Sequence, residues 1–230
     1  MGTQKGTLIL TTFNRNKQLQ LGLESIRRYS DIRTIVANDG AEDQSREIAK
    51  YFGAEYLHTG DNNLWRTPGY AINKAAKLVD TVYLYVSCAE MYHYNDCLDI
   101  MSRYQDQTTL TIPLGYEDRG DCYAFDSNLP PYSLETKLPF LMGMPTEAFK
   151  RLGGYDEDFI GQGYDDNDIV DRLQAYGCNY VQTDAICVHL YHTRKDTTRN
   201  SANLNINKKL YNDRKGYIYR NPLRSSYEQC

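Results

Sequence analysis

Short apolar segments and longer amphipathic segments alternate along the first half of the chain. The segment 7-TLILTT-12 is apolar and β-branched, which is typical of a buried strand. The next segment, residues 15–29, carries Leu19, Leu23 and Ile26 at helical spacing. The same patterns predict further strands at 33–39, 54–58 and 82–87 and further helices at 42–53 and 68–79. Strands joined by single helices predict an α/β fold with a parallel sheet and right-handed crossovers.

The carboxyl ends of these strands are the expected position of a functional site, because open parallel sheets bind ligands beyond that edge. The rule brings residues 11–15, Asp39 and residues 88–90 to one rim. The strand at 82–87 runs into Glu90, whereas a plain core strand would end in turn residues. We therefore expect Glu90 to supply a carboxylate at this rim.

The second half of the chain has a looser pattern. Residues 113–137 are rich in glycine, proline and polar residues, and they predict a long loop or a hairpin excursion. Further on, the glycine-rich 161-GQGY-164 precedes the acidic segment 165-DDND-168, where a helix that Gly177 ends is predicted to begin. Acids in the first turn of a helix are most often caps that favour the helix dipole.

Composition excludes several classes of protein. With 230 residues, 41% hydrophobic and 24% charged, the chain is long enough to bury a full core and ordinary for a globular protein. It contains no apolar run long enough to span a membrane and no signal-like segment at its start. Its six cysteines include no CxxC pair, so we expect reduced thiols and a cytoplasmic location.

Charge is distributed unevenly. Nine basic and three acidic residues lie between Thr193 and Cys230, a local charge of +6, so the rest of the chain carries −10. A basic segment after an acidic body is typical of a protein with an anionic ligand or partner. A solvated tail that packs across the body explains the pattern equally well.

Two histidines and the rim acid form a candidate metal site. His189 and His192 are three residues apart, so on a straight strand they would face opposite sides, but at a strand end both can converge. Together with Glu90 they would suit a divalent ion with open positions, and manganese accepts such mixed nitrogen and oxygen ligands. Taken alone, the two histidines are more often ordinary residues at a strand end.

The order of these motifs resembles the nucleotide-sugar glycosyltransferases with the GT-A fold, most of all the β-1,4-galactosyltransferase and chondroitin-polymerase-like branches (families 7 and 2). The similar segments are 8-LILTTFNR-15, 36-VANDG-40, 87-SCAEMYHYND-96, residues 139–177 and 189-HLYHTR-194. The resemblance implies an α/β fold with a mainly parallel central sheet flanked by helices. It also implies one catalytic domain, 1–192, with a nucleotide-binding half (1–96) and an acceptor and catalytic half (97–192). Residues 193–230 would be a basic C-terminal extension that packs on this domain.

The resemblance also implies roles for individual residues. Mn²⁺, or Mg²⁺, would be held by Glu90, His189 and His192. The family's first metal-motif aspartate is replaced here by Cys88, which implies weaker metal binding or a partial loss of metal dependence. Binding of the donor is implied for Thr11, Thr12, Phe13, Arg15, Asp39, Cys88 and Arg194.

The acid cluster is similar to the catalytic segment of the same enzymes. Asp166 falls at the position of their general base, and Asp165, just before it, would bind a sugar. Galactosyltransferases carry a tryptophan where Gln162 stands, so the identity of the acceptor cannot be carried over. Tyr164 and the single tryptophan, Trp65, are further candidates for contact with the acceptor.

Three functions follow from these expectations. The first is a metal-dependent, inverting transferase that moves a hexose from a UDP-sugar to the hydroxyl of a saccharide or other acceptor. The second keeps the fold but glycosylates a modified base in DNA, which the basic tail would permit. The third is a non-catalytic protein that binds sugar nucleotides, motivated by Cys88.

Overall fold

The computed structural model describes residues 6–60, 67–120, 132–134, 141–161, 163–192 and 201–221. Its strands are β1 (Gly6–Thr12), β2 (Arg33–Asn38), β3 (Glu55–His58), β4 (Tyr83–Cys88), β5 (Met91–His93), β6 (Thr109–Glu117), β7 (Tyr132–Ser133), β8 (Leu141–Pro145) and β9 (Asn179–His189). Its helices are α1 (Asn16–Arg27), α2 (Ser45–Tyr51), α3 (Gly69–Ala76), α4 (Cys97–Ser102), α5 (Thr146–Arg151), α6 (Asp165–Ala175) and α7 (Ser201–Asp213). Every strand and helix predicted for the first half is confirmed, with ends that differ by a few residues.

All of these strands belong to one sheet. Their order is β3-β2-β1-β4-β8-β6-β9-β5, and β7 pairs with β6. The neighbours β3, β2, β1 and β4 are parallel, as the alternation of strands and helices predicts. Beyond β4 the sheet is mixed, because β8 runs antiparallel to both β4 and β6 whereas β9 runs parallel to β6. The predicted α/β class is confirmed, and the second half adds antiparallel pairs.

Helices cover both faces of the sheet. Leu8 and Leu10 of β1 pack with residues of α1 and α4 on one face, and Ile9 packs with residues of α3, α5 and α6 on the other. All three side chains are fully buried. A strand buried on both faces carries a continuous apolar run rather than an alternating one, which is the pattern of residues 7–12. The strand ends are therefore fixed by packing on both sides.

Two pairings in the second half bring distant segments to the rim. The short strand β5 runs antiparallel to β9 and pairs Met91 with His189. The long strand β6 runs parallel to β9 and pairs Glu117 with the same His189. β6 also pairs with β7, so the hairpin interpretation of this region holds for its described part. Residues 121–131 and 135–140 lie outside the described residues.

The C-terminal segment contacts the body through buried charges. Arg220 Nη2 lies 2.7 Å from Asp168 Oδ1, and Arg172 Nε lies 2.7 Å from Asp168 Oδ2. The three side chains are at most 5% exposed, so each charge is stabilised by its ion-pair partners rather than by water. Gly153 has φ +79°, and a Cβ there would lie 2.0 Å from the carbonyl oxygen of Arg220, so only glycine allows this approach. The division into domain and extension itself stays a prediction.

Two further observations bear on the expectations from composition. No helix within the described ranges has the length and apolar content that a membrane crossing requires. Cys88, Cys97, Cys178 and Cys187 are free thiols.

Candidate active site

The carboxyl ends of β1, β2 and β4 form the rim that the sequence predicts. The backbone N–H of Asp39 donates to the carbonyl of Thr12 at 3.0 Å, and the N–H of Ala89 donates to the carbonyl of Thr11 at 2.8 Å. Thr11 Oγ1 donates to the carbonyl of Ser87 at 3.3 Å, and the hydroxyls of Thr11 and Thr12 are both buried. Thr11 and Thr12 therefore connect the ends of β1, β2 and β4 through hydrogen bonds within the sheet.

Asp39 lies at the end of β2 with its carboxylate held in place. Asp39 is 3% exposed, and its Oδ1 accepts a hydrogen bond from Thr59 Oγ1 at 2.6 Å. Next to it, the side-chain oxygen of Asn38 accepts from the N–H of Gly40 at 2.9 Å. The carboxylate of this predicted donor-binding residue is thus oriented by Thr59. Phe13 is partly exposed beside this edge.

Arg15 connects the first strand to two of the predicted metal ligands. After β1 the chain turns at Asn14, which has φ +54°, and Arg15 then precedes α1. Arg15 Nε lies 3.0 Å from Glu90 Oε1, and Arg15 Nη2 lies 3.2 Å from His192 Nδ1. The guanidinium group therefore links a carboxylate and an imidazole that are far apart in sequence.

The end of β9 brings the two histidines together. The strand ends at His189, and the N–H of Leu190 donates to the carbonyl of Glu90 at 2.7 Å. Because the strand stops there, the alternation of side chains stops as well. The ring centroids of His189 and His192 lie 5.3 Å apart, and the two ring planes are inclined at 65°. His189 is buried and His192 is partly exposed.

A cavity of about 320 Å³ opens beside these histidines, lined by Glu117, Asp118, Arg119, His189, Leu190, Tyr191 and His192. Asp118 fixes its wall. Asp118 accepts from the N–H of Gly120 at 2.8 Å and from the N–H of Tyr191 at 3.1 Å, and its own N–H donates to the carbonyl of His189 at 2.9 Å. The sequence did not predict this residue, because only the pairing of β6 with β9 places it next to the histidines.

Glu90, His189 and His192 suit a divalent cation by donor type. A guanidinium cation already stands between Glu90 and His192, so the place attracts positive charge. In the part of the chain that the structure describes, however, no three His, Cys, Asp or Glu side chains form a complete metal site. The donor types therefore fit such an ion, whereas the arrangement around Arg15 is not a closed metal site.

Cys88, at the end of β4, is a neutral thiol. Burial raises the pKa of this thiol well above its ordinary range, and the charges of Glu90 and Asp166 raise it further. This holds although part of the residue is exposed. Cys88 therefore does not replace the acidic ligand that the family carries here. The charge of Asp166, at the start of α6, thus acts on the Cys88 thiol at the end of β4.

The acid cluster opens α6. The preceding residue, Tyr164, has φ +70°, which turns the chain sharply into the helix. Burial raises the pKa of both Asp165 and Asp166 above the ordinary range of aspartate, and the charge of Asp165 raises the pKa of Asp166 further. The hydroxyl of Tyr155 donates to Asp166 Oδ1 at 3.0 Å. Asp166 is thus a partly exposed carboxyl group with a strong tendency to hold a proton.

Of the remaining predicted site residues, the structure describes only Tyr164. The ring of Tyr164 lies 5.5 Å from the ring of Tyr211 on α7, so the C-terminal helix borders the predicted acceptor side. Trp65, Gln162 and Arg194 lie outside the described residues.

The fold matches that of known glycosyltransferases. A mannosyltransferase from Pyrobaculum calidifontis, solved with GDP-Man and Mn²⁺, superposes with a TM-score of 0.63 at 12% identity over 83% of this chain and 58% of that one. The catalytic domain of Drosophila β1,4-galactosyltransferase 7, solved with xylobiose, superposes with a TM-score of 0.62 at 13% identity over 94% of this chain and 83% of that one. GalNAc-T7, solved with UDP, GalNAc and Mn²⁺, gives a TM-score of 0.63 at 12% identity over 83% of this chain and 44% of that one.

Models of sequence families agree with the structural neighbours. No curated protein sequence matches this chain significantly. Residues 123–196 match the model described as the N-terminal domain of galactosyltransferase. Residues 7–144, more than half of the chain, match the model of glycosyl transferase family 2. The resemblance and the GT-A fold predicted from the sequence are confirmed, and the chain belongs to glycosyl transferase family 2.

Proposed function

We propose that this protein transfers a hexose from a UDP-sugar to an acceptor hydroxyl, with inversion at the anomeric carbon. One observation carries the proposal: Arg15, Glu90 and His192, from three separate segments, meet at the carboxyl end of the sheet. The charge of Asp166 acts on Cys88 at the same rim. Transfer needs such a rim, since the leaving diphosphate requires positive charge and the acceptor hydroxyl requires a group that takes its proton. We take residues 1–192 as the catalytic domain and 193–230 as its extension.

Asp166 is the proposed general base. The acceptor oxygen attacks the anomeric carbon from the face opposite the diphosphate, the bond from that carbon to the phosphate oxygen breaks, and UDP leaves with the bonding electrons. The acceptor proton passes to Asp166, a kind of assistance that is typically worth about 10²–10⁴-fold in rate. Asp165 contributes a second carboxyl group at the start of the same helix and is assigned to the sugar.

Positive charge at the leaving group comes from two sources. Arg15 is a cation of the protein at the rim and would contact the diphosphate, where charge develops during transfer. Glu90, His189 and His192 would hold Mn²⁺, or Mg²⁺, which when bound supplies a Lewis acid for the diphosphate. The mannosyltransferase and GalNAc-T7 neighbours were solved with Mn²⁺, which supports this assignment.

A second candidate function is binding of a sugar nucleotide without catalysis. Cys88 in place of an acid, together with Arg15 on Glu90, would suit a protein that holds a sugar nucleotide without cleaving it. Glycosylation of DNA has less support, because two cations of the basic C-terminal region, Arg214 and Arg220, form ion pairs with acids of the body. DNA binding that weakens with salt would restore that alternative.

A thermal-shift screen of nucleotide sugars, with and without Mn²⁺, tests the proposal. A ligand that binds only the native state raises its melting temperature, so the screen identifies base, sugar and metal dependence together. We expect UDP-sugars to stabilise the wild type in Mn²⁺ and to stabilise Glu90→Gln much less. Equal stabilisation by all nucleotides, or none in either protein, contradicts the proposal. Stabilisation without release of UDP supports the non-catalytic function.

A further inference from the structure

Tyr155 places a hydroxyl group on the proposed base. It is 1% exposed and among the largest fully buried side chains of the described residues. Its hydroxyl donates to Asp166 Oδ1 at 3.0 Å. A buried tyrosine needs a partner for its hydroxyl, and here that partner is a carboxylate at the rim rather than a core carbonyl. The contact therefore joins the hydrophobic core directly to the active site.

The backbone of Tyr155 is held by two side-chain amides from distant parts of the chain. Its N–H donates to Asn73 Oδ1 and its carbonyl accepts from Asn73 Nδ2, both at 2.9 Å. The same carbonyl accepts from Asn221 Nδ2 at 2.8 Å. Asn73 belongs to α3 and Asn221 to the C-terminal segment. The position of Tyr155 is thus fixed by elements outside its own loop.

The ring of Tyr155 is held as firmly as its backbone. Its centroid lies 6.1 Å from that of Phe149 on α5, with the planes tilted by 59°. On the other side, Gly69 at the start of α3 approaches so closely that a Cβ there would lie 2.6 Å from the Cβ of Tyr155. These contacts with α3 and α5 restrict movement of the Tyr155 side chain.

We propose that Tyr155 is a positioning residue for the proposed reaction: its hydroxyl fixes Oδ1 of Asp166 and leaves Oδ2 as the oxygen that takes the proton from the acceptor. This inference rests on the proposed function of Asp166. The hydrogen bond also favours the charged carboxylate, which opposes the effects of burial and of Asp165. Tyr155 thereby keeps a larger fraction of Asp166 in the form that can act as a base.

The test removes one oxygen atom. Tyr155→Phe keeps the ring. Its control is Tyr85→Phe, which deletes another buried hydroxyl group. That hydroxyl donates to Gln105 Oε1 at 3.1 Å and does not belong to the rim. The Asp166 carboxyl is titrated by ¹³C NMR in metal-free protein and assigned by its absence in Asp166→Asn. In parallel, UDP release from UDP-glucose and UDP-galactose with Mn²⁺ is followed from pH 5 to 9.

In Tyr155→Phe we expect the Asp166 midpoint to rise by about one pH unit, the shift expected for losing one hydrogen bond to a charged group. The acidic limb of the kcat profile should move with it, so that kcat at pH 7 falls about tenfold while KM changes little. Tyr85→Phe should leave both the midpoint and the profile where they are. A purely structural role would lower activity without moving the pH profile.

Three results separate the outcomes. An unchanged Asp166 midpoint in Tyr155→Phe overturns the inference, and so does an unchanged pH limb when the rate falls. The NMR titration decides the matter even if the variant turns over poorly. If Asp166→Asn releases UDP as fast as the wild type, the proposed function fails instead, because Asp166 is then not the base whatever Tyr155 does.

Discussion

Arg15 Nε lies 3.0 Å from Oε1 of Glu90, in an ion pair whose side chains are 24% and 17% exposed. The pair places a cation of the protein itself on the carboxylate that is proposed to bind a metal. A metal ion bound by Glu90 would therefore compete with Arg15 for this carboxylate, and Arg15, once displaced, would be available to a diphosphate.

Removal of Arg15 should strengthen binding of Mn²⁺. Arg15→Gln frees Glu90 and deletes a positive charge near the ion, so we expect affinity to rise on the order of fivefold, in line with about 1 kcal/mol for a partly exposed pair. Titration followed by electron paramagnetic resonance of free Mn²⁺ measures this without turnover. The control is Arg46→Gln, whose guanidinium pairs with Glu42 on the surface. Weaker or unchanged Mn²⁺ affinity in Arg15→Gln contradicts the competition.

Restoration of the missing acid should increase metal dependence. Cys88 is neutral and lies beside Glu90, so Cys88→Asp adds a carboxylate where the family has one. We expect a lower melting temperature without metal, because like charges are then crowded together, and a larger gain on adding Mn²⁺ than in the wild type. Cys88→Asn has the same shape without the charge and is the control. Equal responses of the two variants to Mn²⁺ would show that the charge at this position does not reach the metal.

Asp166 should cost stability at high pH. Its pKa is raised in the folded protein, so between the ordinary aspartate range and the raised value the folded state binds more protons than the unfolded state. Stability contributed by this group is therefore present at low pH and lost as pH rises through the folded pKa. Asp166→Asn removes the dependence and should melt about 3 °C or more above the wild type at pH 8.5, and close to it below pH 4.

The control for this experiment is Asp184→Asn, which alters an exposed aspartate on β9. It should melt like the wild type at both pH values. A constant difference between Asp166→Asn and the wild type across pH would contradict the raised pKa.

Arg220 should be essential for attachment of the C-terminal segment. Its loss leaves Asp168 with one cation instead of two in a buried position, which typically costs about 3 kcal/mol. Urea unfolding of Arg220→Ala measures this loss. Arg151→Ala breaks an exposed pair with Glu147 and should cost less than about 1 kcal/mol. Similar losses in the two variants would show that the buried contacts do not hold the segment.

Local pattern was enough to predict the first half of the fold and its rim. The composition of residues 7–12 and 33–39 predicts two strands. The carboxyl ends of parallel strands lie at the same edge of a sheet, which is the edge where ligands bind. Asp39 and Glu90 could therefore be assigned to one edge from the sequence alone. The residues that join this rim from the second half were predicted through family resemblance rather than through pattern.

Contacts between distant segments could not be predicted in the same way. Asp118 joins the histidines only because β6 lies beside β9, and Tyr155 reaches Asp166 only because Asn73 and Asn221 fix its backbone. No periodicity in the sequence records such contacts, since each depends on where two separate elements pack. The ion pair between Arg15 and Glu90 could not be predicted for the same reason.

The most direct measurement is a ¹H NMR time course of UDP-hexose turnover in Mn²⁺, with wild type and Asp166→Asn side by side. For an α-linked donor, the proposed attack from the opposite face predicts UDP together with a β-configured hexose product as the first species formed, and almost none in Asp166→Asn. An α-configured first product, the same rate in both proteins, or a bound donor that stays intact would contradict it.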